Sequence, residues 1–228
     1  MSGMSWPEPP AHFVLRTNGA RALYVAESVE SGLRARGLEE WGAWARALAA
    51  GSVSSGRGMT AVVDGAEGRR WRLKAMRRGG RLAGLWRNRY ASPHRLVATL
   101  AASEEARERG VPTARPIALI VESGSGGLSR GAMAFEEIEG AEDLARLVLR
   151  RAASRAELVA AIVTVRSMHD VGVHHTDLNL GNVLLRGRAG ESPEAFIIDF
   201  DRAVLVRGPL PFALVKKRSV VLNAPAPS

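Results

Sequence analysis

Asp177, Asn182 and Asp199 are the residues whose types and spacing could do chemistry. Asp177 stands five residues before Asn182 in the segment His-Thr-Asp-Leu-Asn-Leu-Gly-Asn at 175–182. An apolar run, Val183-Leu184-Leu185, follows. After a turn over 186–193 a second apolar run ends in Asp199-Phe200-Asp201-Arg202. A carboxylate on an irregular segment can take the proton from an acceptor hydroxyl. An amide oxygen and a second carboxylate beside it are the hard donors that Mg²⁺ prefers. Together they point to phosphoryl transfer from a nucleotide, with Asp177 as base and Asn182 and Asp199 as metal ligands. That reaction asks a protein for positioning and charge neutralisation more than for covalent help. His175, two residues ahead of Asp177, is placed to brace the loop through a backbone hydrogen bond. His169, His174 and His175 crowd together, but no cysteine or His-x-x-x-His pair supports a metal site among them.

These groups need a wall opposite them that holds the nucleotide. Of 32 basic residues only Lys74, Lys216 and Lys217 are lysine, so a lysine inside the body of the chain is unusual. Lys74 ends the run Trp71-Arg72-Leu73-Lys74, where strand alternation turns it to the face opposite Leu73. There it can hold α- and β-phosphates. Gly56-Arg57-Gly58 precedes the paired strand at Met59–Asp64, and its glycines would let backbone N–H groups approach phosphates. The acid that partners Lys74 is expected on a helix over 94–109, with Glu104 preferred over Glu105 and Glu108 because it shares a face with Leu100.

The remaining patterns supply the scaffold. The first 30 residues, with Pro7, Pro9 and Pro10, read as an irregular arm, and Ser31–Ala50 as one amphipathic helix carrying Trp41 and Trp44. That helix face either packs on its own domain or meets lipid headgroups. Strands are expected at Met59–Asp64, Arg70–Met76, Ile117–Val121 and Ala132–Ile138, and helices at Ala141–Ala152 and Ser154–Asp170. The last helix opens with a capping box, Ser154 with Glu157, and stops at Gly172. The order predicts an α+β, two-lobed protein-kinase-like fold. Residues 1–50 form its arm and helix, 51–140 a β-rich N-lobe, and 141–228 a reduced helical C-lobe.

Composition narrows the function. Hydrophobic content of 46% and charged content of 24% suit a globular protein, and the absence of cysteine excludes disulfides and thiol catalysis. No N-terminal signal pattern and no apolar run of about 18 residues is present, so a cytoplasmic protein is expected. The net charge of +9 favours anionic contacts or reflects arginine-rich coding bias. Nine basic residues fall between Arg69 and Arg89. They fit a phosphorylated lipid at a membrane surface or a solvated strand and loop. They lack the interleaved aromatics of a nucleic-acid site, so no nucleic-acid partner is expected.

Five segments carry a resemblance to a family: Gly56-Arg57-Gly58-Met59-Thr60, Leu73-Lys74-Ala75-Met76-Arg77-Arg78-Gly79-Gly80, Glu137-Ile138-Glu139-Gly140-Ala141-Glu142-Asp143-Leu144, Asp177-Leu178-Asn179-Leu180-Gly181-Asn182 and Ile198-Asp199-Phe200-Asp201-Arg202. Over residues 50–205 the chain resembles the lipopolysaccharide core kinases, above all those acting on 3-deoxy-D-manno-octulosonic acid (Kdo), with the heptose kinases as relatives. The resemblance implies ATP with Mg²⁺, a lipid-linked sugar acceptor, and work at the cytoplasmic face of the inner membrane. It implies that 137–140, with Glu137 and Ile138, form the adenine-side hinge. Asn179 then stands where protein kinases carry lysine, which argues against a protein substrate. Asp201 stands where they carry glycine and can add a carboxylate near the metal or the acceptor. Thr99 lies near the place of the helix acid, and only 26 residues follow Arg202. Those two departures leave a small-molecule or atypical kinase, or an impaired nucleotide-binding module, as alternatives. No pattern sets an oligomeric state.

Overall fold

Lys74 is positioned by alternation. In β5 (Arg70–Ala75) Trp71 and Leu73 are buried while Arg70 and Arg72 are exposed, so the strand turns one face to a core and the other to a cleft. Its partner β4 (Gly58–Asp64) pairs antiparallel, which sets Thr60 directly across from Lys74. Gly65 in the connecting turn lies over the Trp71 indole, where a Cβ would come within 2.5 Å of Nε1. The computed structural model that shows this describes residues 5–54, 58–76, 90–124, 128–187 and 191–210. Gly56, Arg57 and most of the basic 69–89 stretch lie outside the described residues, and Gly58 opens β4.

The strands β1 (Phe13–Asn18), β2 (Arg21–Ala26), β3 (Ser52–Ser54), β6 (Pro116–Ser123) and β7 (Ser129–Glu136) complete a seven-stranded antiparallel sheet, ordered β1-β2-β6-β7-β5-β4-β3. The expected irregular N-terminal arm is therefore corrected. Phe13–Ala26 is a hairpin with Asn18 opposite Arg21, closed by Gly19-Ala20 with Gly19 at φ 58°. Asn-Gly between alternating strands is a strong hairpin signal, and the prolines upstream of it do not interrupt either strand.

Both faces of the sheet are covered, which is why β6 reads as an almost continuous apolar run. On one face α1 (Glu30–Ala35), α2 (Trp41–Ala50) and the turn between them bury Leu33, Leu38, Trp44 and Leu48 against Leu23, Trp71 and Leu73. The single helix expected over 31–50 is two, because Gly37 at φ 63° terminates the first. Trp44 is fully buried, which removes it from any lipid surface. On the other face α3 (His94–Glu108) packs Leu96, Val97 and Leu100 against Tyr24, Leu119 and Met133.

A second core lies beyond α3. Ala102 and Ala106, at the far end of the same helix, join Leu144 and Leu147 of α4 (Leu144–Arg150) and Ala161 and Met168 of α5 (Arg155–Asp170). Two short sheets complete this half. One orders β11 (Glu194–Ile197), β10 (Val183–Arg186) and β8 (Ala141–Asp143); the other pairs β12 (Val204–Leu205) with β9 (Val173–His174). The expected helix from Ala141 begins only at Leu144, because Asp143 caps it, accepting from the Arg146 N–H at 2.9 Å. The Ser154–Glu157 capping box forms as expected. No described helix is long and apolar enough to cross a membrane.

Candidate active site

A cavity of about 510 Å³ opens between the two cores. Thr60 and Lys74 line it from β4 and β5, Glu137 and Ile138 from the connection after β7, and Asn182 and Asp199 from the opposite side. The structure thus gathers five of the sequence-predicted site residues, Lys74, Glu137, Ile138, Asn182 and Asp199, around one space.

Lys74 Nζ lies 2.8 Å from Asp199 Oδ2. The expected pairing of Lys74 with Glu104 does not form. Glu104 is buried and its carboxylate is held by Arg107 one turn along α3, at 2.6 and 3.0 Å. A buried carboxylate needs a cation close by, and Arg107 supplies it without reaching the cleft. Glu137 is held by the Arg72 guanidinium at 2.6 and 2.5 Å, which fixes the connection between the cores to the edge of β5.

Opposite Lys74 the segment from His175 to Asn182 has little regular structure, and side chains hold it. His175 is buried; its Nε2–H donates to the Ile198 carbonyl at 3.0 Å, and its Nδ1 accepts from the Asp177 N–H at 3.3 Å. Both ring nitrogens are thereby engaged in the neutral tautomer. Burial pulls the imidazole pKa below its usual value, and its centroid lies 5.4 Å from that of Phe200. His175 accordingly braces the loop through a backbone hydrogen bond, as its place two residues ahead of Asp177 led us to expect. Asn179 is a second brace: its amide donates to the Asp177 carbonyl at 3.0 Å and its oxygen accepts from the Gly181 N–H at 2.9 Å. Asn182 Nδ2 donates to the same carbonyl at 2.9 Å. With its backbone so held, Asp177 presents an exposed side chain.

The donor set suits a hard divalent cation. Asn182 donates its amide nitrogen to the Asp177 carbonyl, so Oδ1 is the atom that could ligate such a cation, and Asp199 adds a carboxylate on the same cavity wall. Asp199 adopts φ 72°, a sparsely populated conformation for a residue other than glycine. Among the described residues no three His, Cys, Asp or Glu cluster as a metal cage. Mg²⁺ shared with phosphates needs only one or two carboxylates, so two protein oxygens suffice.

Sequence reasoning missed Thr60, legible afterwards from the hairpin register, and the contacts of Asp201. Both Asp201 oxygens face α3: Oδ2 accepts from Arg95 at 2.7 Å, and Oδ1 lies 3.3 Å from the Thr99 hydroxyl, which also donates to the Arg95 carbonyl at 3.0 Å.

Known proteins resemble this chain. A relative from Haemophilus influenzae, a 3-deoxy-D-manno-octulosonic acid kinase, is 33% identical over 96 residues, 42% of this chain and 39% of the relative. One of the same name from Vibrio vulnificus is 35% identical over 135 residues, 57% of this chain and 55% of its own. Another from Actinobacillus succinogenes is 28% identical over 165 residues, 70% and 68% of the two chains. The matched stretch thus spans from about two fifths to just over half the length of the first of these relatives. A solved structure of WaaP in complex with acyl carrier protein superposes with a TM-score of 0.51 at 22% identity, covering 86% of this chain and 77% of that one. That similarity establishes a kinase-like α+β fold. The model of the lipopolysaccharide kinase (Kdo/WaaP) family matches residues 42–208, most of the chain and all the described site residues. The chain belongs to the lipopolysaccharide kinase (Kdo/WaaP) family.

Proposed function

We propose that the protein transfers the γ-phosphate of ATP to a hydroxyl of Kdo in a lipopolysaccharide inner-core precursor. One observation carries the reading: a single cavity joins Lys74, Asn182 and Asp199 to the Glu137–Ile138 connection, next to a braced loop that exposes Asp177. Glu137 and Ile138 border the adenine, and Lys74 holds the α- and β-phosphates. Asn182 and Asp199 would hold Mg²⁺, which neutralises charge on the phosphate oxygens. The Asp177 carboxylate accepts the proton of the acceptor hydroxyl as its oxygen bonds to the γ-phosphorus and the bond to the β-phosphate oxygen breaks, releasing ADP. His175 and Asn179 keep Asp177 in register. A lipid-linked acceptor places the work at a membrane surface, where a net charge of +9 suits anionic lipid.

The test is a panel of core-sugar acceptors, including a Kdo-lipid A precursor, incubated with Mg-ATP and read by mass spectrometry. Added phosphate on Kdo is the expected result, and phosphate on heptose alone would reassign the acceptor. Thermal stabilisation by ATP with transfer to no sugar would overturn the reading in favour of a nucleotide-binding module.

A further inference from the structure

The helix α3 directs no paired acid at Lys74, yet it is fastened to the metal side of the cleft by a different carboxylate. Arg95 and Thr99 lie one turn apart on one face of α3 and bind opposite oxygens of Asp201. Asp201 follows Asp199 by two residues, and Asp199 holds Lys74. Between them Phe200 is buried in the second core. The loop is strained at both ends, with Asp199 at φ 72° and Arg202 at φ 64°. Such a backbone persists only where its surroundings over-determine it.

The α3 end of the clamp is itself fixed. The Arg95 guanidinium lies 5.6 Å from the centre of the Tyr90 ring. Tyr90 exchanges two backbone hydrogen bonds of 2.7 Å with Ser129 at the start of β7. Thr99 is 5% exposed, and its one hydroxyl proton is shared between the Arg95 carbonyl at 3.0 Å and Asp201 Oδ1 at 3.3 Å. Further along, α3 contributes Ala102 and Ala106 to the second core while Leu96 and Leu100 stay in the first. The helix therefore spans both halves of the molecule, and Asp201 is where it grips the loop that carries Asp199.

We propose that Arg95, Thr99 and Asp201 form a positioning device that sets Asp199 against Lys74 and so couples the lie of α3 to metal-nucleotide binding. The inference rests on the phosphoryl-transfer reading above. With both Asp201 oxygens occupied by α3, the two carboxylates of Asp199-Phe200-Asp201 divide the work: one meets the metal and lysine, the other holds the loop. Neither Arg95 nor Thr99 touches a reacting atom.

The test titrates Mg²⁺ against binding of a fluorescent ATP analogue, with no acceptor present, in the wild type, Asp201→Asn, Arg95→Met and the double variant. Each single variant is expected to raise the Mg²⁺ needed for half-maximal binding by about tenfold, the effect usual for a partner of a metal ligand. The double variant should be no worse than the poorer single, because either change opens the same clamp. Effects that add in the double variant would overturn the proposal and make Asp201 a metal ligand in its own right. Equal losses of melting temperature with an unchanged Mg²⁺ midpoint would also overturn it, leaving a purely structural contact. Should these variants fail to fold, Thr99→Val weakening the Mg²⁺ midpoint while Thr99→Ser preserves it supports the device; equal midpoints for the two overturn it. Because no sugar is used, failure of the acceptor panel is a separate result. Wild-type binding that ignores Mg²⁺ would overturn both readings.

Discussion

The two walls of the cleft are held by different physics. On the Lys74 side, a strand of the seven-stranded sheet buries Trp71 and Leu73 at 1% and 0% exposure, in a core closed by α2. On the Asp177 side, a segment with almost no regular structure is held by side chains bonded to backbone: His175 to Ile198, Asn179 to Asp177 and Gly181, Asn182 to Asp177. Apolar packing fixes a wall firmly but without direction, whereas hydrogen bonds aim individual atoms. The cores differ too. The sheet is covered on both faces, while α5 leaves Ile162 at 67% and Val163 at 55% exposure on its outer side. Damage to the first wall should therefore cost stability, and damage to the second should cost chemistry.

The largest stability effect is expected from Trp71→Ala, about 3–5 kcal/mol by analogy with other buried aromatic truncations, read from urea unfolding. A loss well below that range would mean that the sheet core is not what holds Lys74.

Next comes a pH effect centred on the braced wall. Burial lowers the pKa of His175, so the unfolded chain takes up the proton at a higher pH than the folded one does. The stability tied to neutral His175 is present above about pH 6.5 and is lost as pH falls through the lower folded value. His169, also lowered by burial, adds to the same trend. Unfolding at about pH 7.5 and about pH 5.5 should therefore show a larger acid loss for the wild type than for His175→Gln, which cannot titrate. Equal losses would show that His175 does not carry the effect.

The smallest effect should come from the N-cap of α5. Ser154→Ala removes a bond to the Glu157 N–H and should cost about 1 kcal/mol while leaving nucleotide binding unchanged. A cost as large as that of Trp71→Ala would erase the contrast between the walls.

Much of the site was legible because its residues are close in sequence or fixed by period. Asn182 and Asp199 flank the β10–β11 hairpin, so their spacing set both on the cavity wall. Strand alternation turned Lys74 away from Leu73, and the Ser154–Glu157 box marked the start of α5. The misses were of two kinds. Some were local signals outweighed by louder ones: the Asn18-Gly19 turn stood behind a run of prolines, and Gly37 was overshadowed by the helical spacing of Leu38, Trp41, Ala45 and Leu48 that follows it. Others were long-range. Arg95 meets Asp201 across 106 residues, and Lys74 meets Asp199 instead of a helix acid. No periodicity encodes such pairs, because they depend on how the two cores dock through α3.

The central claim, that Asp177 is the base of a phosphoryl transfer in this cleft, is tested most directly by single-turnover transfer from Mg-ATP to a Kdo-lipid A precursor with the wild type and Asp177→Asn. Asp177 is exposed and its backbone is held by its neighbours, so the variant should fold and bind nucleotide as the wild type does. The account predicts that transfer slows by about 10²–10⁴ while nucleotide affinity is unchanged. Transfer at the wild-type rate in Asp177→Asn would contradict it.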